Sequence, residues 1–126
     1  MTTPVIVLPW PNATLSPNAK PHWAVKMKAV KQARKDGFNC AKEAYGICSL
    51  PFLGYEGKLH LWVDFYPPTK RDYDDDNLLG RIKGNRDGIA DFLLINDSRF
   101  ISHPMIRDKV KGGCVKITIT KGPHDV

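Results

Sequence analysis

Lys58-Leu59-His60-Leu61-Trp62-Val63-Asp64-Phe65-Tyr66 alternates cleanly along its length. Leu59, Leu61, Val63 and Phe65 point one way and His60, Trp62, Asp64 and Tyr66 the other, as in a strand with one face against a core. Pro67-Pro68 closes it, because proline cannot continue a ladder of hydrogen bonds. The loop Thr69-Lys70-Arg71 then delivers the chain into Asp72-Tyr73-Asp74-Asp75-Asp76-Asn77-Leu78-Leu79.

A helix is expected from about Asp75 or Asp76 to Leu93. Aspartates at a helix start satisfy free N–H groups and suit the positive end of the dipole. Leu78, Ile82, Ile89 and Leu93 make one apolar face. At about 100° per residue, Asp76, Lys83 and Asp87 fall together on the side roughly opposite. Gly80, Gly84 and Gly88 repeat along the same stretch at a combined propensity cost of about 2–3 kcal/mol. Something therefore approaches this backbone closely: a packed helix, a second subunit or DNA.

Before the strand, Pro4 to Leu8 reads as a first strand closed by Pro9-Trp10-Pro11, and Asn12 to Pro21 as a flexible loop rich in Pro, Asn and Ser. From His22 to Tyr45 the period becomes helical, with Trp23, Met27, Val30, Ala33, Ala41 and Ala44 as the apolar stripe and lysines on the other faces. Tyr45 to Gly57 is a connection. After Leu93, the Ile95-Asn96-Asp97-Ser98 turn presents another carboxylate. Strand is expected at Arg99 to Ile101 and at Met105 to Val110, interrupted by His103-Pro104. Lys111-Gly112-Gly113 signals a hairpin turn, Cys114 to Thr120 a last strand, and Lys121 to Val126 a loose tail. The fold class is α/β: a single small two-layer domain over residues 1–126, with a mixed sheet and two main helices.

At 126 residues, 42% hydrophobic and 25% charged, the composition is that of an ordinary globular domain with a core of its own. No apolar run is long enough for a membrane span. The N-terminus lacks the pattern of a signal peptide. Cys40, Cys48 and Cys114 lack the spacing of a zinc site, so reduced thiols and a cytoplasmic location are expected. Lysines and arginines outnumber acids 19 to 13, for a net charge of +6, and seven of the acids lie between Asp72 and Asp97. A basic body with its acid concentrated in one segment suits a metal-dependent enzyme acting on phosphates. A solvated acidic loop on a basic protein is the bland alternative.

Like charges packed together need a cation to answer them. Magnesium takes oxygen ligands and is held by a few carboxylates together with substrate phosphate. Asp74 and Asp76, at the strand-to-helix junction, can reach one ion, and Asp97 can close the site from beyond the helix. Lys83 is the candidate to neutralise a phosphate. Asp75 is expected to point away, with Asp72 as a solvated flank. An EF-hand register fails, since Asn77 and Lys83 stand where Gly and Glu belong. His22, His60, His103 and His124 are scattered, and Trp10, Trp23 and Trp62 are expected in the core. No Walker loop, nucleophile elbow or zinc-deaminase signature is present.

Leu8-Pro9-Trp10-Pro11, then Asp74-Asp75-Asp76-Asn77-Leu78, Lys83, Asp87-Gly88-Ile89-Ala90 and Asp97-Ser98-Arg99-Phe100, taken in order, resemble the RusA family of Holliday junction resolvases, often carried by bacteriophages and prophages. The resemblance spans roughly residues 5 to 120. It implies a small α/β homodimer that binds four-way DNA junctions and cuts paired strands with magnesium, as a DNA-recombination and repair endonuclease. It assigns Asp74, Asp76 and Asp97 to metal binding and catalysis and Lys83 to the catalytic lysine, with Arg81 as its rival. In the best-known member the lysine follows the Asn by three residues, where this chain has Gly80. Asn96 stands where many members have a further Asp. Lys70, Arg71, Arg81 and Arg86 would supply DNA affinity. The alternative reading is a non-catalytic nucleic-acid-binding protein with a structural metal or an acidic loop; a nuclease of another branched or single-stranded substrate is a third.

Overall fold

The alternating stretch forms β2 (Leu59–Tyr66), and its four apolar side chains are fully buried. The structure is a computed structural model and describes residues 4–17, 19–46 and 51–122. The other elements are β1 (Ile6–Pro9), α1 (Trp23–Tyr45), α2 (Asp75–Arg81), α3 (Lys83–Leu93), β3 (Phe100–Ile106) and β4 (Cys114–Thr120), with short 3-10 turns at Ala13–Leu15 and Asp97–Arg99. The sheet runs β1-β4-β2-β3. β4 is antiparallel to both β1 and β2, while β3 is parallel to β2, so the sheet is mixed, as expected.

Ile6, Leu8, Val115, Ile117 and Ile119 join the inward side chains of β2 in one core with Leu78, Ile82, Ile89 and Leu93 of the helices. That second set is the apolar face expected between Asp75 and Leu93. The outward residues of β2, namely His60, Trp62, Asp64 and Tyr66, are only half-buried, which makes this a two-layer α/β domain.

Four expectations change. The second helix is two helices: Ile82 leaves helical geometry (φ −96°, ψ 11°) between α2 and α3. Gly80 and Gly84 flank this break, and glycine beside a break is a recurrent cause of a sharp kink. β3 passes through His103-Pro104 without interruption and stops at Ile106, because β3 is an edge strand and Pro104 needs no partner on its open side. Gly112 and Gly113 take positive φ (81° and 69°), but their turn makes no hairpin, since β4 inserts between β1 and β2 instead of pairing with β3. The Asn12–Pro21 segment holds a 3-10 turn capped by Asn12, and Ser16 within it is buried and accepts a hydrogen bond from the Asn77 amide at 2.7 Å. Asn18, Cys48 and His124 lie outside the described residues, as does the tail beyond Gly122.

The glycine repeat is explained by helix packing. A Cβ on Gly88 would overlap the Arg34 carbonyl and lie 2.8 Å from the Phe38 nitrogen, and one on Gly84 would lie 3.1 Å from the Ala33 Cβ. Gly37 of α1 is pressed in the same way against the Asn85 backbone. Asn85 itself is buried and donates its side-chain amide to the Ala33 carbonyl at 2.8 Å. Of the three partners open in the sequence, the packed helix is the one present for Gly84 and Gly88; Gly80 is instead covered by Pro17.

Candidate functional site: two carboxylate groups on the helix layer

Asp74 is the N-cap of α2. Its Oδ1 accepts from the Asp76 N–H at 2.9 Å and, more weakly, from the Asn77 N–H at 3.4 Å. The cap fixes the first turn, so Asp75 and Asp76 leave it at set angles. One ligand oxygen from each of Asp74, Asp75 and Asp76 lies within 4.8 Å of the others, and all three residues are exposed. Asp75 therefore joins the group instead of turning away from it. Among the described residues none of the three is paired with a lysine or arginine. Exposed oxygen donors this close together are the type a hard divalent cation accepts.

Asp97 is not in that group. α3 ends on Leu94 in the left-handed region (φ 57°), with the Ile95 N–H bonded to the Ala90 carbonyl at 3.1 Å, a Schellman-type reversal. Asn96 then caps the next turn by accepting from the Ser98 N–H at 2.9 Å. The reversal folds Asp97 back beside Asp87, in the lining of one pocket. Burial, then the neighbouring Asp97 carboxyl, push the Asp87 carboxyl above its ordinary range, against the opposing pull of Lys83 and Arg34. A shallow pocket of about 210 Å³ here is lined by Arg34, Asp87, Ala90, Asp91, Asn96 and Asp97, among others.

The sequence-selected cations divide. Lys83 opens α3 with an exposed ammonium 3.6 Å from Asp87, so it serves the second carboxylate group. Arg81 is half-buried, with its Nε enclosed and unpartnered; desolvation, then the nearby Arg71, lower its pKa. Arg86 is likewise enclosed at Nε, with its guanidinium 5.9 Å from the Phe100 ring centroid. Lys70 and Arg71 are exposed on the loop before α2, Arg71 lying over the Tyr73 ring at 4.8 Å.

Two features escaped the sequence. Arg34 of α1 makes a two-pronged bond to Asp91 of α3, at 2.6 and 2.9 Å, and that bond holds the Asp91 carboxyl below its usual range. Their separation of 57 positions left no local signal. On the open face of the sheet, His60 Nδ1 lies 2.8 Å from His103 Nε2, and Trp62 stacks on His103 with centroids 4.2 Å apart. The parallel register of β2 and β3, which sets His103 opposite Trp62, joins histidines that looked scattered. Trp10 does pack on the core, edge-on to Phe65.

Among the described residues no helix is long and apolar enough to cross a membrane. Fold and site together define a small α/β domain that carries two carboxylate groups on its helix layer. No family model matches the chain. It is 54% identical over 117 residues to a Xylella fastidiosa (strain Temecula1 / ATCC 700964) protein described as "Uncharacterized protein", a match that covers 91% of this chain and 74% of that one. The chain belongs to the same family as that protein.

Proposed function

We propose that the chain is a magnesium-dependent endonuclease that resolves four-way DNA junctions by paired strand cleavage, as the RusA family does. The observation that carries this reading is the unpaired Asp74–Asp75–Asp76 oxygen cluster on a protein of net charge +6. When bound, magnesium would supply a water acidic enough to act as a nucleophile at neutral pH. Asp74 and Asp76 would hold the ion, Asp74 through the oxygen its helix cap leaves unused. Asp97, with Asp87, would form the second acidic group facing the scissile phosphate, and Lys83 would offset phosphate charge there. Lys70 and Arg71 would bind the DNA backbone, with the half-buried Arg81 and Arg86 as lesser contacts.

Junction selectivity would rest on DNA shape, and a homodimer would set two such sites on a two-fold substrate. Free thiols at Cys40 and Cys114 accord with a cytoplasmic, nucleic-acid-containing compartment of a bacterial host.

The test is incubation of the purified protein with a synthetic four-way junction and magnesium, beside Asp76→Asn. Cleavage by the wild type alone is expected. Binding without cleavage by either protein would favour the second reading, a non-catalytic DNA-binding protein. One observation speaks for that second reading: Asp97 lies with Asp87 and not with Asp74 and Asp76. Flap, single-stranded and linear DNAs run in parallel identify a different nuclease substrate.

A further inference from the structure

α1 and α3 run in the same direction side by side: Gly84 meets Val30 and Ala33, Gly88 meets Arg34 and Phe38, and Phe92 meets Phe38 and Tyr45. α3 starts at Lys83, so the first two turns of α1 extend past its end. The apolar stripe expected to be core is uncovered there. Trp23 is 68% exposed, Met27 50% and Val30 40%. The rest of the stripe behaves normally, with Ala33 and Ala41 buried. Large apolar side chains grouped on a surface mark an interaction site more often than chance.

The charge around the stripe selects the partner. The first 35 residues contain no Asp or Glu, yet they hold Lys20, Lys26, Lys28, Lys31, Arg34 and Lys35. At about 100° per residue, Lys31 falls about 40° beyond Met27 around the helix and Lys28 about 60° further on, both on the solvent side. A second copy of this surface would set cations against cations with no acid to pair them. The stripe is also continuous with the candidate site. At Val30 it reaches the start of α3, and at Arg34 it enters the pocket of Asp87, Asp91 and Asp97. A polyanion lying along α1 is therefore led to the carboxylates.

We propose that the overhanging half of α1 binds the DNA branch point: Trp23 stacks on a base plane exposed there, Met27 packs at its edge, and Lys28 and Lys31 contact the flanking phosphates. This rests on the DNA-endonuclease reading and names the element that recognises the substrate. Aromatic side chains stack on unpaired bases regardless of sequence, and apolar wedges enter base steps that are already open.

The experiment measures binding of labelled four-way junction and matched linear duplex in EDTA, so that cleavage plays no part. The proteins are wild type, Trp23→Ala, Trp23→Phe, Met27→Ala and the double variant Lys28→Ala/Lys31→Ala. Circular dichroism confirms that each is folded. Trp23→Ala should weaken junction binding by roughly 5- to 150-fold, the range of one base–aromatic stack. Duplex binding should stay unchanged, and Trp23→Phe should restore most of the loss. The lysine variant should weaken both DNAs and flatten the salt dependence. Junction binding by Trp23→Ala and Met27→Ala equal to wild type overturns the role of α1 but leaves the endonuclease reading standing. Wild type that binds no DNA overturns both. Two other results overturn the assignment in favour of another occupant: Trp23-dependent binding to phosphatidylserine vesicles with DNA binding unaffected, or conversion of a dimer to a monomer by Trp23→Ala.

Discussion

Asp74 combines two roles that a pair of substitutions separates. Its side chain caps α2, and its charge belongs to the carboxylate group. Asp74→Ala loses both and should lower unfolding free energy by about 1 kcal/mol in urea titrations. Asp74→Asn keeps a capping oxygen and should unfold close to wild type, yet cleave junctions as poorly as the alanine variant. Asp87 works against stability. Its folded-state carboxyl sits above the ordinary range, chiefly through burial, so the folded state holds that proton more tightly than the unfolded chain. The stability this lends is present in acid, below the unfolded value, and is lost as pH rises through the folded one. Asp87→Asn removes the ionisation. It should raise the Tm near neutral pH, and the gain should vanish below the carboxylate range; equal melting temperatures at pH 7 would refute the cause assigned here. Asp91 has the opposite sign. Its bond to Arg34 holds the carboxyl down, so its contribution is present above the usual range and fades as pH falls through the depressed value.

At the scale of elements, the α1–α3 contact sets the site, because Arg34 and Asp91 cross it and Asp87 lies beside them. Its closeness depends on Gly84 and Gly88. Gly88→Ala improves helix propensity by about 1 kcal/mol, yet it places a methyl group against the Arg34 carbonyl and the Phe38 nitrogen. Backbone cannot yield as a flexible side chain can, so a net loss of about 1–3 kcal/mol is expected from chemical denaturation. The place of the break at Ile82 was not legible in the sequence. Ile82 fits an unbroken apolar face with Leu78 and Ile89; Gly80 and Gly84 permit a break there, and α2 docks under Pro17 and Ser16 while α3 docks on α1. Beyond the break, Lys83 lies beside Asp87 within α3.

For the whole molecule, charge governs partner choice and geometry governs which partner fits. A backbone-binding protein with about four phosphate contacts loses roughly 100-fold in affinity between about 50 and about 200 mM salt. Junction binding measured across that range should show a dependence of this order. Ultracentrifugation at micromolar concentration should find a dimer; a strict monomer would remove the basis for paired cleavage. The open sheet face, with its His60–Trp62–His103 stack, belongs to no part of the proposed reaction.

Strand β2, the long helix α1, the final strand β4 and the apolar face of α2 and α3 were all legible in the sequence, because each is written in a local period of hydrophobic residues. The nearness of Asp74 and Asp76 was legible too, because they are neighbours in the chain and the helix they begin fixes their spacing, whereas Asp75, expected to turn away, joins them. Tertiary structure alone decided that Asp97 meets Asp87, that Arg34 pairs with Asp91, and that His60 meets His103. It also decided that Trp23 and Met27 stay uncovered while Ala33 and Ala41 do not. Periodicity tells which side chains share a face. Whether a neighbour is long enough to cover that face, or a turn returns a carboxylate to it, depends on where other elements begin and end.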